Sequence, residues 1–167
     1  MPLTFRTAVD DDWPAICHSD ARAFGGSYTP EEVERARPIH DTSRFELAID
    51  DGDIVGVVGA YTLSVTVPGG GKLPMGGLTW VATAATHRRR GVLTRLMQRS
   101  LGDIDRRGEP VAMLAASEGG IYERFGFGVA SQTRVTSIDR RGARLRPEFQ
   151  PAPGTVRFIE GEDALRH

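Results

Sequence analysis

Lysine is almost missing from this chain: Lys72 stands against twenty arginines, an imbalance read chiefly as genomic composition bias. Cysteine is reduced to Cys17, which excludes a disulfide within the chain and a Cys-rich metal site. Its place on an apolar helix face describes an inert core thiol. His18, His40, His87 and His167 show no ligand spacing, so no metal is expected. No apolar run is long enough to span a bilayer, and Met1-Pro2-Leu3-Thr4-Phe5-Arg6 lacks the apolar core of a signal peptide. Cytoplasmic residence without a membrane partner is therefore the expectation. Excess charge is missing too. A formal net charge of -1 with 40% hydrophobic residues describes a soluble globular chain, not a nucleic-acid binder or a disordered tail. Internal repeats are absent.

At 167 residues the chain is expected to form one domain with an independent core. Leu3 to Val9 alternates like a first strand. Asp12 and Pro14 open a helix running through Phe24, with Trp13, Ile16, Cys17, Ala21 and Phe24 on its apolar side, and Gly25-Gly26 stops it. Thr29-Pro30-Glu31-Glu32 is a capping box for a short helix that ends before Pro38. Strands are predicted at Phe45 to Ile49 and Ile54 to Val67, around an acidic turn at Asp51-Gly52. Gly69-Gly70-Gly71 then turns the chain toward Trp80. Gln132 to Asp139 is predicted as a late strand, and Arg140 to Pro153 as a linker carrying Pro147, Pro151 and Pro153. Thr155 to Ile159 is expected to begin another strand.

The most informative stretch runs from Trp80 to Gly128. Leu78 to Thr83 is short, rich in β-branched and aromatic residues, and flanked by small ones, which describes a buried strand. After the Arg88-Arg89-Arg90-Gly91 turn, Leu93, Leu96, Met97, Leu101 and Ile104 fall at helical spacing, with polar residues on the other faces. A glycine lets backbone approach a ligand, and a helix start offers unpaired N–H groups and a dipole that favour an anion. Arginines add contacts to phosphate oxygens. Alone, such a turn is more often merely a solvated basic loop; its place between a buried strand and an amphipathic helix favours the phosphate reading. Pro110 to Ala116 reads as a second buried strand, parallel to the first because a helix crosses over between them. Ser117 is expected to cap a short helix bearing Tyr122, with Gly126 as its stop. The tyrosine thus lies beside the phosphate turn at the strand ends, where open α/β sheets take ligands. A packed aromatic is the blander reading of Tyr122, and an acid placed to favour a helix start is that of Glu118.

Together these residues resemble the GCN5-related N-acetyltransferases. More narrowly, Leu73-Pro74-Met75-Gly76-Gly77-Leu78, Thr86-His87-Arg88-Arg89-Arg90-Gly91-Val92-Leu93 and Ser117-Glu118-Gly119-Gly120-Ile121-Tyr122-Glu123-Arg124-Phe125-Gly126-Phe127-Gly128 are similar to the N-terminal region of the enhanced-intracellular-survival (Eis) acetyltransferases, and Asp11-Asp12-Trp13-Pro14 fits as well. The resemblance implies an α/β (α+β) fold: a mixed central β-sheet flanked by helices, with splayed parallel strands forming an acetyl-CoA cleft. Residues 1 to 140 would form this domain, and 141 to 167 a linker or the start of a following domain. Val81, Ala82 and Thr83 would face the pantetheine arm. Arg89, Arg90, Gly91, Val92, Leu93 and Thr94 would hold the pyrophosphate, Ser117 and Glu118 would line the cofactor, and Tyr122 would protonate the departing thiolate. Phe24, Tyr28, Glu31 and Glu32 would line the acceptor pocket, although Gly25-Gly26 stands where an acidic lining residue is expected.

Two departures accompany the resemblance. Leu93 replaces the glycine or alanine of the common loop pattern, which the Eis-like branch tolerates. Members of that branch are also much longer, and their C-terminal carboxylate is the general base; the carboxylate of His167 ends a different segment. The expected activity is acetyl transfer from acetyl-CoA to a primary amine by direct attack, in a chain that is either minimal or part of a longer acetyltransferase. A catalytically silent acyl-CoA sensor or interaction module is the alternative, and a homo-oligomer is left open. Residues 1 to 53 hold twelve acids against five arginines, and residues 86 to 146 thirteen arginines against six acids. That polarity suits an anionic cofactor and a cationic acceptor on different sides, and solvated charged faces account for it almost as well.

Overall fold

The structure is a computed structural model that describes residues 3–144, 146, 148–149, 153–159 and 161. Contacts divide the chain into two compact units, Met1–Val129 and Ala130–His167. In the first, strands β1 (Thr4–Thr7), β2 (Glu46–Asp50), β3 (Asp53–Thr66), β4 (Lys72–Thr83) and β5 (Val111–Leu114) form one sheet in that order. The first four are antiparallel neighbours, and β5 runs parallel to β4. Helices α1 (Trp13–Phe24) and α2 (Pro30–Ala36) precede β2, and α3 (Val92–Arg106) crosses from β4 to β5.

Local chemistry sets these boundaries. Helix α1 ends at Gly25 in the left-handed region, φ 72°, where a side chain would be strained. Helix α2 opens on the expected capping box: Thr29 Oγ1 accepts from the Glu32 amide at 3.3 Å, and Glu32 Oε2 accepts from the Thr29 amide at 2.8 Å. Asp51 and Gly52, at φ 49° and 85°, make a two-residue hairpin turn whose positive φ values match strand twist.

Two apolar clusters cover opposite faces of the sheet. One joins Val55, Ala60 and Leu78 to Val92, Leu96, Met97 and Ile104 of α3, and includes Tyr122. The other joins Phe45, Leu47, Val57 and Ala82 to Trp13, Ile16 and Cys17 of α1. Cys17 is a buried thiol that burial raises to about 11. Gly56 lets α3 approach, because a Cβ there would meet Val92 Cγ1 at 2.7 Å and Leu96 Cδ1 at 2.9 Å. Arg44 and Glu109 are buried together as a bidentate pair at 2.7 and 2.5 Å, and Arg44 also donates to Thr62. The pair ties the chain before β2 to the chain before β5. Removing one partner would strand a buried charge, at a cost of about 3–5 kcal/mol.

Several sequence expectations are corrected. Gln132 to Asp139 and Thr155 to Ile159 form no strand, and Val135 and Phe158 are 90% and 101% exposed. Strand propensity yields structure only against a partner, and no strand among the described residues pairs with either segment. Ser117 does not cap: a short 3-10 turn, Gly119–Ile121, starts after Glu118 without a side-chain cap. Asp12 does not cap α1 with its side chain either, because its carboxylate is taken by Arg6 at 2.6 and 2.7 Å and by the Val9 amide at 2.8 Å. Pro147, Pro151 and His167, which entered the reading of the C-terminal segment, lie outside the described residues.

Candidate active site

The first component is a break in the sheet. Parallel pairing of β4 with β5 stops at Leu78↔Leu114, yet β4 continues to Thr83. Opposite β3, the register moves from Thr79↔Gly59 to Ala82↔Val57, so β4 carries an extra residue there. That residue is at Trp80, whose φ of 51° is unusual for a bulky side chain. A bulge bends its strand, and the β5-facing edge of Thr79 to Thr83 is left without a strand partner among the described residues. Val81, Ala82 and Thr83 lie on this divergent segment. Val81 packs with the Tyr122 cluster, and Ala82 belongs to the α1 cluster on the other face.

The second component is the arginine turn. Arg88, Arg89 and Arg90 are exposed, Arg89 has φ 60°, and Gly91 has φ 77° with nothing within 4 Å of where a Cβ would stand. The Gly91 carbonyl takes the first intrahelical bond, from the Arg95 amide at 3.1 Å, so the amides of Val92, Leu93 and Thr94 lie ahead of the ladder. No side chain caps this end, and no acid occupies its first turn. Val92 is buried and Leu93 packs on the same core. His87 Nε2 meets Asp50 Oδ2 at 2.9 Å, pinning the turn to the β2–β3 hairpin and holding the Asp50 carboxyl below its ordinary range. Exposed cations, free amides and an open glycine are a set of groups that fits a diphosphate.

Tyr122 lies between two short 3-10 turns, closed by Gly126 at φ 89°. It is 9% exposed and meets Phe127 edge-on at 6.1 Å. Its hydroxyl has no hydrogen bond among the described residues, and it keeps some accessible surface, since it is not among the fully buried atoms that lack a partner. Burial, with the Glu118 carboxylate second, pushes the phenol up from its ordinary value. Ser117 and Glu118 are exposed just after β5. Tyr122, Val81, Val92 and Leu93 thus share one cluster, bringing the bent strand, the helix start and the phenol together.

On the α1 face the expected lining residues diverge. Phe24 is 65% exposed, Glu31 is exposed, and Glu32 is engaged in its cap. Tyr28 stacks on Trp80 at 6.1 Å and 22°, and its hydroxyl donates to Asp20 Oδ2 at 3.0 Å. Sequence reasoning missed the polar knot behind it. Trp80 Nε1 donates to His40 Nε2 at 3.0 Å. An acceptor Nε2 requires the proton on Nδ1, which therefore donates to the Ala36 carbonyl at 2.8 Å, and the Tyr61 hydroxyl, 2.8 Å from Nε2, shares that nitrogen's single lone pair with the indole N–H. Trp13 completes the wall, 4.7 Å from the His40 ring and 5.3 Å from Trp80. A cleft of about 420 Å³ between Pro38–Asp41 and Ala60–Leu63 shares His40 and Tyr61 with this knot but includes neither Tyr122 nor the arginine turn. Among the described residues no His, Cys, Asp and Glu group could hold a metal.

Comparison with known proteins identifies the family of this fold. An N-acetyltransferase of Streptomyces avermitilis, itself uncharacterized, is 42% identical over 95% of the chain. N-acetyltransferase Eis of Mycobacterium tuberculosis is 38% identical over 92% of it. The chain spans only 38% and 39% of these two relatives. The crystal structure of Eis1 from Mycobacterium abscessus superposes with a TM-score of 0.69 at 35% identity, covering 77% of this chain and 32% of that one. The profile of the acetyltransferase (GNAT) domain matches residues 4–130, nearly the whole of the first compact unit, and the chain belongs to that family.

Proposed function

We propose that this chain is an acetyl-CoA-dependent N-acetyltransferase domain that transfers acetyl directly to a primary amine, with Tyr122 as general acid. The observation that carries the reading is the divergence of β4 from β5 beyond Leu78, which opens one strand edge between the arginine turn and the phenol. Acetyl-CoA would supply the activated thioester and a thiol leaving group. The amides of Val92, Leu93 and Thr94 and the guanidiniums of Arg89 and Arg90 would hold the diphosphate, and the free edge of Val81 to Thr83 would pair with the amide-bearing pantetheine arm. As the amine nitrogen bonds to the acetyl carbon and the C–S bond breaks, the proton of the Tyr122 hydroxyl would pass to sulfur, the amine's surplus proton would leave to solvent and solvent would return one to the phenoxide; the raised pKa keeps the phenol protonated at neutral and moderately alkaline pH.

Tyr122→Phe should lower kcat by about 10²-fold or more, the scale of general acid catalysis, and leave acetyl-CoA affinity nearly unchanged. Wild-type activity should persist to a pH above the ordinary phenol value of about 10 before its alkaline limb. Arg89→Ala with Arg90→Ala should instead weaken CoA binding. Equal turnover in wild type and Tyr122→Phe, measured as CoA thiol release, would refute the acid assignment. A silent acyl-CoA sensor would show thermal protection by CoA without thiol release on any amine.

A further inference from the structure

We infer that His87, gripped by Asp50 at the end of β2, is a positioning residue that holds the arginine turn in the shape a diphosphate needs. This rests on the CoA reading above and deepens it, because the turn's hold on an anion is then set by a residue outside the gripping groups.

The turn needs outside support. Arg89 sits at φ 60°, in the left-handed region that residues other than glycine seldom adopt. Such a conformation costs free energy and persists only where its surroundings over-determine it. Within the turn nothing does so: among the described residues the side chains of Arg88, Arg89 and Arg90 make no hydrogen bond and no ion pair. The last backbone bond before them runs from the His87 amide to the Ala84 carbonyl at 2.8 Å, and the first after them from the Arg95 amide to the Gly91 carbonyl at 3.1 Å.

His87 supplies the missing constraint. Its ring is held at both nitrogens, with Nε2 2.9 Å from Asp50 Oδ2 and Nδ1 2.8 Å from Thr86 Oγ1. A carboxylate only accepts, so Nε2 carries a proton whatever the charge of the ring, and the Thr86 hydroxyl donates to Nδ1 in the neutral ring or accepts from it in the charged one. The grip therefore works in both protonation states. Asp50 is a firm anchor, since it ends β2 opposite Asp53 in the hairpin closed by Asp51 and Gly52. Exposed ion pairs contribute little, but these two side chains are only 14% and 23% exposed, a partly buried pair that salt screens less. The arginine turn is thus tied to the most rigid neighbour it has, one residue before its cations begin.

The structural alternative is a pair that only stabilises the hairpin. CoA and pantetheine, which lacks the diphosphate, separate the two. Isothermal titration would give Kd for each ligand with wild type, His87→Gln, His87→Phe and His87→Ala, below every melting transition. Glutamine presents an N–H where Nε2 stands and keeps the bond to Asp50, whereas phenylalanine keeps the ring and loses both bonds. The inference predicts that His87→Phe and His87→Ala bind CoA about tenfold more weakly, the loss of roughly one hydrogen bond to a charged group, with pantetheine affinity unchanged and His87→Gln close to wild type. Whichever of the phenylalanine and alanine variants folds carries the test. Wild-type CoA affinity in that variant, or equal losses for CoA and pantetheine, overturns the inference and leaves the CoA reading standing. Equal affinity for CoA and pantetheine in the wild type would instead sink the placement of the diphosphate at the turn, and the inference with it.

Discussion

Tyr122 and Asp20 are both ionisable groups in apolar surroundings, and burial raises the pKa of each. For the phenol, the favoured protonated form is the one the chemistry uses. For Asp20 the shift bears on stability. The linkage has a definite sign. With a folded pKa above its unfolded value, Asp20 binds more protons in the native state, so its effect on stability turns unfavourable as pH rises from the ordinary carboxylate value through the raised one. Asp20→Asn should therefore raise the melting temperature at pH 7 by a few degrees, and the gain should vanish at pH 3, below the ordinary carboxylate value of about 3.9. Thermal melts of both proteins at the two pH values check this. A lower melting temperature for the variant at pH 7 would show that the ionised carboxylate stabilises the fold. Asp12 shifts the other way, held low by Arg6, and its contribution is lost as pH falls through that lowered pKa.

Among the elements, α3 and the bend in β4 position the site. Gly56 admits Val92 and Leu96 against the sheet, and Val92 is the first residue of the helix whose amides face the arginine turn. Gly56→Ala should push that first turn away, destabilise the domain by about 1–3 kcal/mol as overpacking does, and raise KM for acetyl-CoA more than it lowers kcat. Urea unfolding and steady-state kinetics would measure both; unchanged stability and KM would mean that the contact relaxes without moving the turn. Most elements were legible in the sequence because their signals are local: the Thr29-to-Glu32 box, the Asp51-Gly52 hairpin and the apolar stripe of α3 each specify geometry within a few residues. The bulge at Trp80 was not, since an extra residue in a strand shows only against its partner's register. Asp20 left a signal that went unread, an acid among Trp13, Ile16, Cys17 and Ala21. The His40 knot joins α2, β3 and β4, and no spacing along the chain announces such a contact. Val135 and Phe158 mislead in the opposite way, because their strand-forming side chains have no strand to pair with among the described residues.

For the molecule as a whole, charge is uneven along the chain: acids outnumber arginines twelve to five in residues 1 to 53, which include α1 and α2, and the turn before α3 carries three arginines in a row. On the proposed reading that turn would steer an anionic cosubstrate. No helix among the described residues is long and apolar enough to cross a membrane. The chain spans about two-fifths of its curated relatives, so the claim with the widest reach concerns the part it contains: a strand edge, freed by the parting of β4 from β5, that binds CoA with its diphosphate at Gly91. Amide hydrogen exchange with and without CoA tests that claim most directly. Slowed exchange confined to peptides covering Thr79 to Ala84 and Arg90 to Arg95 is the predicted result. Bound CoA with unchanged exchange in both segments would contradict it.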